Sequence, residues 1–250
     1  MRLFLHQLRG EQRLFWRSRE LAFFTFLLPI VFLVLLGSVY GEDERIDGVR
    51  GSNYLLAGML GYGVAATAFA GLAIMLVLRR ETGVLKRVRS TPLPPATYVA
   101  AILSSILIAF ALEALALIAI GRLVFDIAVP DRIGSLAAVL LLGGLAFAAL
   151  GVGLSAAIRS AEGASALVNA IYLPMAFISG SFFSATSFPR VLELIGEILP
   201  LTYFIRLVRA VILHDEAVWE QLSDVGVLAA WGLVGAIVAL RYFRWEPRSR

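Results

Sequence analysis

Residues 79–95 read Arg79-Arg80-Glu81-Thr82-Gly83-Val84-Leu85-Lys86-Arg87-Val88-Arg89-Ser90-Thr91-Pro92-Leu93-Pro94-Pro95. This polar stretch separates two apolar runs of membrane length and carries five cationic side chains against a single carboxylate, Glu81. Such an excess of Lys and Arg in a short loop holds the loop in the cytoplasm during membrane insertion. The pattern from Glu81 to Arg89 predicts a short helix with Val84, Leu85 and Val88 on one side. The prolines that follow are expected to end it, because proline lacks an N–H and disfavours helix in the residue before it.

The composition indicates a membrane protein. The 250-residue chain is 60% hydrophobic and 16% charged, with a mean hydropathy of +0.85. A soluble domain is about half apolar and about a quarter charged. The apolar residues are clustered in runs that suit a hydrocarbon core of about 30 Å, which about 20 helical residues can span. We therefore predict an all-α polytopic membrane protein, with a single transmembrane domain over residues 1–250.

Six runs qualify as transmembrane helices. The predicted spans are Leu21–Tyr40, Tyr54–Leu78, Tyr98–Gly121, Gly134–Ile158, Ser165–Phe183 and Ser223–Arg241. An even number of spans puts both termini on one side of the membrane. That side, which includes the 79–95 loop, carries 15 of the 22 Lys and Arg residues, and the opposite loops carry the other 7 together with many acids. Because basic loops are retained inside, we expect cytoplasmic N- and C-termini.

Residues 1–20 form a basic amphipathic segment. At about 100° per residue, Phe4, Leu8 and Phe15 fall on one side of a helix and four arginines gather on the other. Such a helix lies in the headgroup plane of the membrane. We predict an interfacial elbow helix that precedes the first span.

The last external segment, residues 184–222, has two apolar pieces that are too short to cross a bilayer. They are Arg190–Leu199 and Leu201–Leu213, separated by Pro200. At about 1.5 Å per residue they reach only about 15 and 20 Å. A re-entrant hairpin that enters from the outer face satisfies this pattern, provided that its irregular backbone is buried in protein. An ordinary pair of surface helices is the alternative.

Two parts of the sequence resemble a known family. Glu81-Thr82-Gly83, Leu85-Lys86-Arg87 and Ser90-Thr91-Pro92-Leu93 resemble the cytoplasmic coupling-helix segment of type-2 ATP-binding-cassette exporter permeases, most closely the daunorubicin-resistance type. The stretch from Leu173-Pro174 to Arg209 resembles the end of the fifth span and the external helices of the same family.

The resemblance implies a permease domain whose coupling segment, residues 79–95, docks on a separate ATPase. It assigns the contact to six positions, namely Glu81, Gly83, Leu85, Lys86, Arg87 and Pro92. It also implies two ATPase copies that hold the ATP and magnesium, a homodimer or a heterodimer with a similar permease, and a prokaryotic inner membrane. A basic loop that only fixes topology is the alternative reading of the segment.

Several chemistries are excluded by missing residues. No Walker A pattern occurs, so the chain has no nucleotide site of that kind and we expect no bound cofactor. The chain has no cysteine, and its two histidines, His6 and His214, are far apart, so neither a metal site nor a catalytic site is expected. The basic residues flank apolar runs, which explains the net charge of +4 through topology and predicts no binding of nucleic acid.

A few polar residues lie within the spans. Glu113 is deep in the third span, and such a carboxylate indicates a function or an interior partner. It could serve a proton-coupled secondary carrier, or it could pair with Arg122, Arg206 or Arg209. Three residues of the fifth span, Asn169, Tyr172 and Ser179, either line a translocation path or bind neighbouring helices.

The sequence therefore predicts the membrane subunit of an ATP-driven exporter for an amphiphilic substrate such as a drug, a lipid or a glycan. A proton-coupled carrier that uses Glu113 is the first alternative. A scaffold that only assembles partners is the second.

Overall fold

The computed structural model describes residues 1–40, 44–128, 130–184 and 188–246, and it is almost entirely helical. The helices are α1 (Arg2–Arg17), α2 (Arg19–Tyr40), α3 (Gly51–Val64), α4 (Leu72–Glu81), α5 (Val84–Arg89), α6 (Pro95–Phe125), α7 (Ile133–Ala157), α8 (Ala161–Ile178), α9 (Arg190–Gly196), α10 (Pro200–His214) and α11 (Leu222–Tyr242). A π-helix, Ala65–Gly71, joins α3 to α4, and a 3₁₀ turn, Val218–Gln221, precedes α11. A hairpin of two short antiparallel strands, β1 (Arg45–Ile46) and β2 (Val49–Arg50), precedes α3.

Six helices of the described chain are long and apolar enough to cross a membrane. They are Ala22–Tyr40, Gly51–Glu81, Pro95–Phe125, Ile133–Ala157, Ala161–Ile178 and Val218–Tyr242. The prediction of an all-α polytopic membrane protein is confirmed. The predicted span boundaries differ most for the fifth span, which begins four residues earlier and ends five residues earlier, and the second span continues through Arg79–Glu81 into the expected loop.

The second span forms the centre of the bundle. Its first part, α3, is buried along nearly its whole length and packs on α2, α6 and α10. Apolar side chains gain nothing by leaving lipid for another apolar surface, so close backbone packing must hold such helices together. Small residues provide it: a Cβ at Gly58 would lie 1.9 Å from the carbonyl oxygen of Ser181, and one at Gly61 would lie 2.4 Å from Ile205.

Helices α9 and α10 occupy the predicted external segment, of which residues 185–187 lie outside the described residues. Pro200 is the first residue of α10 and does not merely separate two pieces, because proline fits the first turn of a helix. Phe204 packs on Gly143 of α7, and Ile205 packs on Gly61 of α3. Each glycine lies ten residues inward from the start of its helix, which is about 15 Å. Helix α10 therefore packs along the sides of α3 and α7, and the re-entrant hairpin stays a prediction.

A polar cluster closes the end of the bundle at which α3 begins. The Arg209 guanidinium on α10 donates to the carbonyl oxygen of Gly180 at 2.6 Å and lies 3.6 Å from the ring centre of Tyr54. Tyr54 in turn donates to the carbonyl oxygen of Phe183, and the Ser184 hydroxyl donates to the Asp47 carboxylate. The loop after α8 is thus joined to α3, to α10 and to the hairpin.

Candidate coupling site at the base of the fourth helix

The predicted coupling helix, α5, follows α4 after a tight turn. Gly83 has a φ of +72°, which is a left-handed conformation that glycine adopts without a steric cost. The helix α5 then covers Val84–Arg89, so Glu81 is the last residue of α4 and not the first of the coupling helix. The prediction of one helix from Glu81 to Arg89 is therefore wrong. It treated Gly83 as an ordinary helical position, whereas its conformation ends one helix and begins the next.

The apolar side of α5 faces the protein. Leu85 is fully buried in the core, and Val88 packs against that core. The expectation that Leu85 is presented outward with Val84 and Val88 is wrong for Leu85, because α5 uses this face to lie against the bundle. The exposed residues are Lys86, Arg87, Arg89, Ser90, Thr91 and Pro92. A partner protein that reaches this segment meets a polar, cationic surface.

Arg79 joins α4 to the elbow helix. Its guanidinium donates to both carboxylate oxygens of Glu11, at 2.9 and 2.6 Å, and to the Tyr98 hydroxyl at 3.0 Å. Glu11 is 5% exposed and the Arg79 side chain is 14% exposed. A bidentate pair of this kind fixes orientation as well as distance. It therefore holds α1, α4 and the start of α6 together.

Arg80 and Glu81 join α4 to the connection between α7 and α8. The buried Arg80 guanidinium donates to the carbonyl oxygens of Ser155 and Ile158 at the end of α7. The Glu81 carboxylate accepts a hydrogen bond from the backbone N–H of Ala161, the first residue of α8. A cation thus lies at a helix C-terminus and an anion at a helix N-terminus, which is the favourable arrangement at both ends. Glu81 already has a partner within its own chain.

The three charged residues Arg79, Arg80 and Glu81 therefore connect the end of α4, just before the turn to α5, to four other helices: α1, α6, α7 and α8. Sequence reasoning counted Arg79 and Arg80 only as topology signals and did not single out Glu11. A signal for the latter was present, because Glu11 is the one acidic residue among the basic residues of Arg2–Arg17.

The Glu113 carboxylate is placed within the bundle and is 1% exposed. Its Oε2 accepts from the Thr67 hydroxyl at 2.8 Å, and Thr67 belongs to the π-helix. The predicted pairing with an arginine is wrong: Arg122 binds Asp126, Arg209 binds Gly180, and Arg206 lies over the ring of Tyr203. Glu113 instead lies against Gly63, the residue before the last of α3. The role of Glu113 in transport is untested.

The other candidate path residues, all in or next to α8, do not form one site. The Asn169 amide donates to the Ser165 hydroxyl of its own helix at 3.3 Å. The hydroxyl groups of Tyr172 and Tyr62 lie 3.4 Å apart, so Tyr172 faces the second span. Ser179 is buried just after the end of α8. The proposal that they line one path is not tested by these contacts.

The sequence comparison identifies the family. The model of the ABC-2 type transporter family matches residues 2–213. The chain belongs to the ABC-2 type transporter family. It is also similar to a protein of Bacillus subtilis (strain 168) named "Putative transport permease YvfS", with 24% identity over 196 residues, 78% of this chain and 79% of that protein.

Family membership makes the chain a multi-pass transport permease. ABC-2 permeases generally work with a separate ATPase partner. Within the described residues, no group of three or more His, Asp or Glu side chains could hold a metal ion. The end of α4 is the candidate functional site of this permease, because Arg79, Arg80 and Glu81 join it there to four other helices.

The Glu11–Arg79 pair allows a quantitative test. In a double-mutant cycle with Glu11→Gln and Arg79→Gln, we expect a coupling energy of about 1–3 kcal/mol, because both partners are largely withdrawn from water. The exposed pair Arg122–Asp126 is the matched control and should give about 0.3–0.5 kcal/mol. The free energy of unfolding is measured by SDS titration in mixed micelles. Equal coupling energies for the two pairs would contradict the structural role of Arg79.

Proposed function

We propose that this permease is the membrane subunit of an ATP-driven exporter and that the segment 79–95 rests on a separate ATPase. The observation that supports the proposal is the contact set of Arg79, Arg80 and Glu81, which ties the end of α4, directly before the turn to α5, to four other helices. A force applied to the exposed face of α5 would be passed to the elbow helix and to the α7–α8 connection. A loop that served only as a topology signal would need no such contacts.

In this proposal the six predicted contact residues divide by role. Lys86, Arg87 and Pro92 are exposed and would touch the ATPase. Glu81, Gly83 and Leu85 would act as positioning residues, because Glu81 binds α8, Gly83 makes the turn and Leu85 is in the core. The ATPase would supply the ATP and magnesium, and this chain would hold no cofactor of its own.

Two permeases, either identical or similar, would pair and work with two ATPase copies. Helices α2 and α8 leave most of their apolar surface unpacked in the single chain, which is consistent with lipid or a second permease beside them. The transported molecule would be an amphiphile such as a drug, a lipid or a glycan. Export from a prokaryotic inner membrane is the expected direction and place.

The turn at Gly83 supplies a prediction about which side chains this position tolerates. Gly83→Trp should abolish substrate-stimulated ATP turnover, because an L residue is strained at this φ and the ring would project from the surface. Gly83→Asn is the matched variant, since asparagine tolerates the left-handed conformation. A Cβ at residue 83 meets nothing within 4 Å, so Gly83→Asn should fold and keep most of the activity. If Gly83→Trp binds and stimulates the ATPase like the parent chain, the segment is a topology signal only.

Glu81 supplies a second variant pair for the same assay. Glu81→Lys should uncouple ATP turnover from transport, because it puts a cation at the N-terminus of α8, whereas Glu81→Gln keeps an acceptor for Ala161 and should retain most of the activity. Both variants should insert normally, since the segment keeps its basic excess. The readout is co-purification with the ATPase together with ATP turnover. Equal activity of the lysine and glutamine variants would show that the contact with α8 has no part in coupling.

We also propose that the N- and C-termini are cytoplasmic. The chain has no cysteine, so single cysteines report topology without background. Ser90→Cys, in the coupling segment, should be protected from a membrane-impermeant maleimide in intact cells, whereas Asp131→Cys, between α6 and α7, should be labelled. Labelling of Ser90→Cys from outside would contradict the arrangement.

The energy source separates the exporter from a proton-coupled carrier. Glu113 is held by the Thr67 hydroxyl, and no basic side chain binds it within the described residues. If the ATPase drives transport, Glu113→Gln should retain most of the export, because no proton cycle passes through this group. Export is measured at constant expression with and without a proton gradient. A collapse in this variant that follows the proton gradient would favour the carrier.

A further inference from the structure

The second span and α6 contact each other, and each has 31 residues. Helix α6 is a continuous α-helix, whereas the second span, Gly51–Glu81, is interrupted by the π-helix Ala65–Gly71. Sharp bends in long helices occur at interruptions of this kind. Of the two spans, the second is therefore the one that can bend within its length.

The two halves of the second span have different neighbours. Helix α3 packs mainly on α2, α6 and α10, whereas α4 packs mainly on α7 and α8. The π-helix between them carries little side-chain bulk, because five of its seven residues are alanine or glycine. Small side chains displace few neighbouring atoms when the backbone changes direction. A bend at the π-helix would thus alter the direction of α4 while α3 keeps its neighbours.

Glu113 of α6 lies at the junction between α3 and the π-helix. Its Oε2 accepts a hydrogen bond from the Thr67 hydroxyl at 2.8 Å, and its Oε1 lies against Gly63, where an added Cβ would be 2.3 Å away. Both Glu113 and Thr67 are buried. Within the described residues, Oε1 has no hydrogen-bond partner. The hydrogen bond from Thr67 therefore fixes the π-helix against α6.

A second hydrogen bond joins α6 to the far end of α4. Arg79 donates to the Tyr98 hydroxyl at 3.0 Å. At about 1.5 Å per residue, Thr67 and Arg79 are about 18 Å apart along the span. Two fixed points at this separation define the direction of α4 relative to α6. Because Arg79 lies at the end of α4, this direction also places the segment 79–95.

We propose that Glu113 is a positioning residue: it holds α4 in one direction through Thr67, and the second span bends at its π-helix when this hydrogen bond is lost. The proposal gives the buried carboxylate a role that requires no proton cycle. It goes beyond the proposed coupling, because the direction of α4 is set within this chain and without an ATPase.

The test measures distances between two spin labels in the full-length permease alone, in nanodiscs. The pair 50/78, Arg50→Cys with Leu78→Cys, has the π-helix between its labels. The pair 96/124, Ala96→Cys with Val124→Cys, lies on the continuous helix α6, and all four positions are exposed. Each pair would be about 42 Å apart along a straight α-helix. In the unaltered background we expect one narrow distance distribution for each pair.

Thr67→Val removes the hydroxyl and keeps the shape of the side chain. It should broaden the 50/78 distribution at least about twofold and leave 96/124 unchanged, because α6 has no irregular turn. Glu113→Leu removes the acceptor without leaving a buried charge, so it keeps the test valid if the first variant does not fold. Thr67→Ser and Glu113→Gln keep the donor and the acceptor and should leave both distributions narrow.

A buried threonine elsewhere provides the control. Thr202 of α10 donates a hydrogen bond to the carbonyl oxygen of Gly196 at 2.6 Å. Thr202→Val makes the same chemical change outside the second span, so both distributions should stay narrow. A narrow 50/78 distribution in both Thr67→Val and Glu113→Leu would overturn the proposal. Equal broadening of 96/124, or the same broadening in Thr202→Val, would also overturn it.

The measurement contains no ATPase and no transported substrate. A negative result would therefore leave the coupling proposal intact, and a failure of the coupling variants would leave the role of Glu113 intact.

Discussion

The packing of four helices around the end of α4 depends on the charged residues at that end. Arg79 binds the elbow helix and α6, Arg80 binds the last carbonyl groups of α7, and Glu81 binds the first N–H of α8. Charges of the correct sign at helix termini are worth about 0.3–1 kcal/mol each at an exposed surface, and more where they are partly buried. Breaking a buried pair costs more still, because it leaves an uncompensated charge. The helix α5 is therefore attached to a rigid support.

The rest of the bundle depends on a different interaction, which is close backbone packing. Gly58 and Gly61 let the loop after α8 and the helix α10 approach the central span, and Gly143 lets α10 approach α7. Any side chain at these positions would bring its Cβ closer to the neighbouring segment than van der Waals contact allows. The glycines therefore decide which helices can be neighbours. The end of the bundle at which α3 begins is closed by Arg209 and Tyr54. The π-helix of the second span lies between this end and the charged residues of α4. Such irregular turns are frequent at functional sites.

Much of the fold was predictable because membrane insertion leaves a strong pattern in the sequence. Apolar runs of the required length gave the six spans, and the elbow helix followed from its arginines. The helix boundaries near residue 81 were not predictable in this way. To place the boundary between α4 and α5 correctly, the left-handed conformation of Gly83 must be known, and that conformation depends on where α5 packs.

The partners of the polar residues were the least predictable part. Hydropathy places Glu113 in the bilayer, but the choice of Thr67 over an arginine depends on the rotation of α6 against the π-helix. Leu85 was expected on the outer face, and the packing of α5 put it in the core. Roles for Lys86, Arg87 and Pro92 stay predictions, because a partner surface is needed to test them. Local patterns define elements, whereas contacts between distant residues such as Glu11 and Arg79 arise only from their packing.

The central claim is that α5 and the start of α8 move as one body. It is tested most directly by the distance between spin labels at Arg89→Cys and Glu162→Cys, two exposed positions on these helices outside the proposed ATPase contact. The permease is measured with its ATPase, first without nucleotide and then trapped with ATP. The account predicts the same narrow distance distribution in both states, and a broader one when Arg80→Gln and Glu81→Gln are combined. A distance that changes on ATP trapping in the unaltered background would contradict it.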